Sequence, residues 1–215
     1  MKITKYEHAC FVIEQSDQKL VVDPGGWSPS FPTDLTNVVA VVITHVHGDH
    51  LDPTKIARLV AANPELTIYG PAEALDTIDY ARKVTDAPGQ EATVGNFKLS
   101  FVGTGHHAVI DSSVPGFQNV GVIINDGFYV PGDSFDLPGR PVELTAVPAS
   151  GPWVKISDAM DFIRAVRSPR FINDHDALLS EQGRVTYFNW LTKAAESVGS
   201  TFEALPTGGS TEVTS

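Results

Sequence analysis

A single cysteine, Cys10, in 215 residues excludes an intramolecular disulfide and a thiolate metal cage, and leaves a reducing compartment acceptable. Its apolar neighbours in "ACFVI", with no cation beside it to favour a thiolate, point to a buried structural position on a strand. Basic residues are scarce as well. Fifteen Lys and Arg against 26 Asp and Glu give a formal charge of −11, and no basic cluster exists to neutralise a phosphate backbone, which argues against nucleic acid as a partner. No apolar run approaches the ~20 residues of a membrane span, so no membrane partner is expected. The N-terminus "MKITKYEHACFVIEQ" lacks the basic start, apolar centre and small-residue cleavage site of a secretory leader, and a cytoplasmic location is expected from this. Linkers are missing too. Pro and Gly are scattered as turn punctuation, so one domain is expected over residues 1–205, followed by a frayed low-complexity tail, "PTGGSTEVTS", at 206–215.

What the chain does have is a repeated succession of short apolar strands and amphipathic helices. Residues 1–14 and 19–23 read as a strand pair with Asp23 at the end of the second. "VVAVVIT" (38–44) is a β-branched run suited to a strand buried on both faces. "DPTKIARLVAAN" then has helical spacing, with Asp52 as N-cap and Pro53 at the first helical position. "LTIYG" predicts a strand, Pro71 a helix through about Arg82, and "FKLSFVGT" a strand that stops just before His106 and His107. Asn125, Asp126 and Gly127 predict a hairpin turn; the strand after it ends at Asp133 in "PGDS". "VELTAVPA" and "RFIND" predict strands, the latter ending at His175, while "SDAMDFIRAVRS" and "EQGRVTYFNWLTKAAESVG" predict helices. This order implies an α/β layered domain whose polar residues gather at strand ends, where such folds build their sites.

Three of the seven histidines fall within six positions in "HVHGDH" (45–50), between the buried strand and the helix. Imidazole and carboxylate together form the usual donor set for borderline divalent metals. On extended backbone His45 and His47 share a face and can reach one ion, and Gly48 permits a turn that redirects Asp49 and His50 toward a second. His106 or His107, Asp133 and His175 also follow predicted strands and are candidates to converge on the same place.

"THVHGDH", a later strand-end histidine, the "GDS" aspartate and the final histidine of "NDHDALLS" together resemble the metallo-β-lactamase superfamily. "GHHAVI", "NVGVII", "VPGDSFDLPGRPVE", "PASGPWVK" and "DHDALLS" look most like its ascorbate-6-phosphate lactonase-like branch of small bacterial metal-dependent hydrolases. The resemblance implies a four-layer αββα sandwich with two divalent ions, zinc first and Mn2+ or Fe2+ as alternatives. It also implies the ligand sets: His45, His47 and His107 for one ion, Asp49, His50 and His175 for the other, with Asp133 bridging. His107 is preferred over His106 because the branch's ligand histidine precedes a small residue, here Ala108. Two such ions lower the pKa of a bridging water from about 15.7 toward about 7 and so supply a hydroxide nucleophile, which Asp49 could orient.

The implied activity is hydrolysis of a small ester, lactone or phosphoester, and the net positive charge of such a site suits an anionic substrate. Two alternatives stay open: a mononuclear-iron sulfur dioxygenase on the same scaffold, and a metal-dependent binding module that turns nothing over. An oligomer is compatible with the sequence. His8 reads first as an ordinary polar residue, although "HAC" resembles a strand that can lie close to the site. Asp23 reads equally as a turn cap or as a residue that holds the metal loop by hydrogen bonding. Asn119, Trp153 and Lys155 are candidates to line a substrate pocket.

Overall fold

The computed structural model describes residues 1–106 and 116–214. The first half runs β1 (Lys2–Lys5), β2 (Phe11–Gln15), β3 (Gln18–Val22), β4 (Val38–Val42), α1 (Pro53–Ala62), β5 (Thr67–Gly70), α2 (Ala72–Leu75) and β6 (Lys83–Thr85). The second runs β7 (Glu91–Val94), β8 (Phe97–His106), β9 (Gln118–Ile124), β10 (Phe128–Val130), β11 (Leu144–Pro148), α3 (Ile156–Val166), β12 (Arg170–Asp174), α4 (Glu181–Glu196) and β13 (Thr201–Glu203). The chain then returns to the first sheet as β14 (Ser210–Glu212). Among the described residues these strands form two seven-stranded sheets, ordered β14-β1-β2-β3-β4-β5-β6 and β13-β12-β11-β10-β9-β8-β7.

Alternation along the strands explains the layering. Phe11, Ile13, Leu20, Val22, Ala40 and Val42 turn inward against Phe97, Leu99, Phe101, Val122 and Phe128 of the other sheet. Their neighbours Val12, Val21, Val41 and Ile43 turn outward and pack with Ile56 and Leu59 of α1. Ile123, Tyr129 and Val147 do the same for the second sheet, against Phe162 and Ile163 of α3 and Leu191 of α4. The result is the four-layer αββα sandwich that the family resemblance implies. No helix among the described residues is long and apolar enough to cross a membrane.

Local signals are honoured where the sequence states them most strongly. Asp52 caps α1 by accepting from the Thr54 and Lys55 amides, with Pro53 at the first helical position. Asn125 and Asp126 both take left-handed φ, 49° and 54°, as a two-residue hairpin turn requires.

Two expectations are corrected. The helix expected from Pro71 to about Arg82 stops at Leu75, because Lys83–Thr85 is drawn into the sheet as a parallel neighbour of β5. Lys83 itself makes the early stop tolerable by donating to the Leu75 and Ile78 carbonyls at 2.8 and 2.7 Å. The tail expected to fray instead pairs Ser210–Glu212 antiparallel with β1, and Val213, 1% exposed, enters the core between the sheets. Arg170 fastens it by donating to the Glu212 carbonyl at 2.6 Å.

This attachment is testable. Val213→Ala should lower stability by about 1–3 kcal/mol in urea unfolding, the ordinary cost of deleting buried methyl groups. A frayed tail would leave the midpoint unmoved.

Candidate metal centre

Every described candidate lies at one edge of the two sheets. Asp23 follows β3, residues 45–50 follow β4, Asp133 follows β10 and His175 follows β12. This is the carboxyl end of the parallel strands, where α/β sheets place their sites. His107 lies outside the described residues; His106 ends β8 opposite Gln118.

The 45–50 loop is closed by a tight turn in which the His50 and Leu51 amides both donate to the His47 carbonyl, at 3.0 and 2.9 Å. Gly48, expected to permit this turn, is not compelled there, because its φ is not left-handed and a Cβ would meet open space. The glycine the loop requires is Gly25, on the facing segment. A Cβ at Gly25 would stand 1.7 Å from the Asp49 carbonyl oxygen, and the Gly26 amide donates to the Gly48 carbonyl at 2.7 Å. Lys55 of α1 secures that segment by donating to the Gly25 and Ser28 carbonyls at 2.6 and 2.7 Å.

Two donor groups result. In one, His45 Nε2 and His47 Nδ1 lie 2.9 Å apart, with Asp133 Oδ2 at 3.6 and 4.0 Å. In the other, Asp133 Oδ1 stands 3.1 Å from both His50 Nε2 and His175 Nε2, and Asp49 Oδ2 is 4.0 and 3.6 Å from those nitrogens. Asp133 thus turns one carboxylate oxygen toward each group.

The residues fit divalent ions on a structural ground. His50 Nε2, His175 Nε2 and Asp133 Oδ1 are buried and make no hydrogen bond among the described residues, even though they approach to 3.1 Å. Donor atoms that crowd together without bonding one another face a common centre rather than each other.

The outer hydrogen bonds fix which imidazole nitrogens are free to bind. Asp23, fully buried, accepts from the Thr44 amide at 2.8 Å, the Thr44 hydroxyl at 2.7 Å and His50 Nδ1 at 2.8 Å. Since Thr44 spends its proton on Asp23, its oxygen accepts from His45 Nδ1 at 3.0 Å. One carboxylate therefore holds the Nδ1 side of both His45 and His50, leaving Nε2 of each facing inward. His175 is set in the same sense by donating Nδ1–H to the Ser150 carbonyl.

His8 works differently. The Ala177 amide donates to its Nδ1 at 3.4 Å, so its Nε2–H donates to Asp49 Oδ2 at 3.0 Å. It orients Asp49 from a position where its ring lies 3.9 Å from that of His175. Burial lowers the His8 pKa to about 4 and keeps it neutral. His8, Asp23 and His175 all take left-handed φ, at 61°, 46° and 50°, a conformation non-glycine residues adopt at a cost.

Electrostatics match this geometry. Burial opposes ionisation of Asp133 and Asp49, but the histidines around them hold both well below the usual carboxylate range. Burial likewise holds the fully enclosed His45 well below the usual imidazole range. For His175 burial also lowers the pKa, yet Asp133 and Asp49 outweigh it and push it up to about 9. A field that favours a proton on His175 favours a cation in its place, and loading it would release that proton.

The remaining candidates separate cleanly. Asn119 is buried and accepts from the Asp133 amide at 3.0 Å while donating to the Pro131 carbonyl at 2.9 Å, so it shapes the Asp133 loop rather than lining a pocket. Trp153 Nε1 donates to Asp133 Oδ2 at 3.0 Å. Lys155 is exposed at the start of α3. Sequence reasoning underrated His8 and Asp23, whose partners lie 41 and 21–27 positions away. Their one legible signal was a polar residue inside or just beyond a strongly apolar strand.

Comparison with known proteins agrees with this architecture. The family model described as "Beta-lactamase superfamily domain" matches residues 2–175. The chain is 32% identical over 211 residues to protein Rv0786c of Mycobacterium tuberculosis, covering 96% of this chain and 97% of that one. It is 31% identical over 116 residues to a UPF0173 metal-dependent hydrolase of a Chelativorans species, about half of each chain (49% and 48%). Among solved structures it resembles the metallo-beta-lactamase fold protein YhfI of Bacillus subtilis, with a TM-score of 0.71 and 19% identity over 98% of this chain and 99% of that one.

Two substitutions test the construction of the site. Gly25→Ala should displace the Asp49–His50 backbone and abolish tight zinc binding in a chelator competition titration; wild-type affinity would show that the contact is relieved elsewhere. Asp23→Asn should weaken zinc binding by about 10–100-fold, the usual cost of losing a ligand-orienting partner.

Proposed function

Because the chain belongs to the beta-lactamase superfamily, we propose that it is a metal-dependent hydrolase that opens a small ester, lactone or phosphoester bond at a two-ion centre. The observation that carries this reading is the Asp133 carboxylate, with one oxygen toward His45 and His47 and the other toward His50 and His175. A single-iron dioxygenase would need only the first of those groups. In the proposed assignment His45, His47 and Asp133 hold one ion, with His107 as a further ligand, and Asp49, His50 and His175 hold the second, Asp133 being shared. When bound, the two ions supply a water that ionises near neutral pH and a Lewis acid for the substrate's oxygen. Zinc suits the donor set of imidazoles and carboxylates, with Mn2+ or Fe2+ as alternatives.

The chain's own residues do the rest. Asp49 is the catalytic residue we assign: held ionised and aimed by His8, it accepts a hydrogen bond from the attacking water and fixes its direction. Trp153 restrains Asp133 by its hydrogen bond, so the shared carboxylate keeps its two-sided orientation. Aromatic rings stand around the donors: Trp27 is 4.9 Å from His8, Phe117 is 4.7 Å from His47 and Trp153 is 5.9 Å from His175, centroid to centroid. Such walls exclude water and grip the apolar part of a small substrate, while any negative charge it carries would be met at the ions. The name of the UPF0173 relative supports the reaction class. The stretches "VPGDSFDLPGRPVE" and "DHDALLS" support the lactonase-like branch, and the single buried Cys10 suits a cytoplasmic protein.

Metal analysis and a substrate panel test this together. Zinc- or manganese-loaded protein should hold two ions per chain and hydrolyse at least one of a set of aryl esters, lactones and phosphodiesters. Asp133→Ala should lose both metal and turnover while keeping its far-ultraviolet circular dichroism. One iron per chain with oxygen uptake on a persulfide, or unchanged hydrolysis in Asp133→Ala, would overturn the reading.

A further inference from the structure

The segment that leads into His8 and the segment that carries His175 are joined by a buried ion pair. Lys5, at the end of β1, donates from Nζ to Asp176 Oδ1 at 3.0 Å, and the two residues are 1% and 2% exposed. Lys5 Nζ also donates to the Tyr6 carbonyl at 2.9 Å, and Asp176 Oδ2 accepts from Asn173 Nδ2 at 2.7 Å. Each partner is anchored in turn by the C-terminal segment. The Lys5 amide donates to the Gly209 carbonyl at 2.9 Å and its carbonyl accepts from the Gly208 amide at 2.7 Å, while Asn173 accepts from the Leu205 amide at 2.7 Å.

Burying two charges stabilises a core no better than a well-packed apolar pair of the same volume, so what this pair contributes is the geometry it imposes. Asp176 stands between His175 and Ala177 in sequence. The Ala177 amide donates to His8 Nδ1 at 3.4 Å, and the His8 and His175 rings lie 3.9 Å apart. The ion pair therefore spans the same gap as the His8–Ala177 hydrogen bond. That bond is long and weak, and it survives only while the two segments are held in register by something stronger. On it depends the form of His8 that carries its proton on Nε2 and donates to Asp49 Oδ2 at 3.0 Å.

We propose that Lys5 and Asp176 are positioning residues for the Asp49 side of the metal centre. By clamping residues 5–8 to residues 175–177 they keep His8 in its Nε2–H form, aimed at Asp49, and hold His175 beside it. The zinc readout below rests on the two-ion reading of the site; the His8 readout does not.

The zinc-loaded chain, labelled with nitrogen-15 at its histidine rings, is examined by long-range proton–nitrogen correlation NMR, and zinc affinity is measured by chelator competition. Wild-type His8 should show a single Nε2–H tautomer. Lys5→Met removes one charge and keeps the stem; the double variant Lys5→Met with Asp176→Asn removes both, so that no lone buried charge opposes folding. In either, the His8 signals should move toward those of an imidazole exchanging between tautomers. One zinc ion should bind roughly tenfold or more weakly, the scale of a lost ligand-orienting partner, while the other keeps its affinity. An Nδ1–H tautomer for wild-type His8 would overturn the proposal, as would a folded variant with unchanged His8 signals and both affinities intact. So would equal weakening of both ions with the His8 signals unmoved, the result for a pair that only stabilises the fold. A wild-type chain that bound one ion alone would fail the two-ion reading, and the His8 signals would still decide for or against the clamp.

Discussion

The Asp23 carboxylate, buried between the end of β3 and the start of the histidine-rich loop, is the interaction on which the rest of the site depends. Through one oxygen it fixes the Thr44 backbone as the chain leaves β4; through the other it receives the Thr44 hydroxyl and His50 Nδ1. Because the hydroxyl relays its demand to His45, a single negative charge holds the Nδ1 side of one imidazole of each donor group. Its left-handed backbone is the local strain accepted to bring the carboxylate there.

The second sheet supplies what the loop lacks. Asp133 and His175 come from the ends of β10 and β12, and the two sheets are joined at this edge by the Val120 amide donating to the Thr44 carbonyl at 3.0 Å. Gly132, with φ +66°, lets the Asp133 loop pass close to that junction. A Cβ there would meet Asn119 Oδ1 at 2.3 Å and Thr44 Cβ at 2.7 Å. The site is therefore a joint between sheets rather than a property of either one.

The sequence makes legible those features whose causes are local. The buried β4 run, the Asp52 cap with Pro53, the Asn125–Asp126 turn and the crowding of donors in residues 45–50 each depend on residues within a few positions of one another. Features decided by distant partners were not legible. The helix after Pro71 is cut short because β5 recruits Lys83–Thr85, and the tail is ordered because β1 offers an open edge. The motif points to Gly48 as the residue that permits the turn, whereas the steric demand falls on Gly25, about two dozen positions earlier in sequence and in contact in space. For His8 and Asp23 the sequence offered a position near the site but could not choose between a local role and a distant one, because each acts on a loop that the chain reaches only later.

The apolar layer between the sheets, from Phe11 and Val42 on one side to Phe101 and Val130 on the other, has a role beyond holding the fold together. Since residues 45–50 hang from one sheet and Asp133 and His175 from the other, the thickness of that layer is the gauge that sets how far the Asp133 carboxylate stands from the loop histidines. Side-chain volume deep in the core thus becomes a tuning parameter for the chemistry at the rim, acting without a single direct contact.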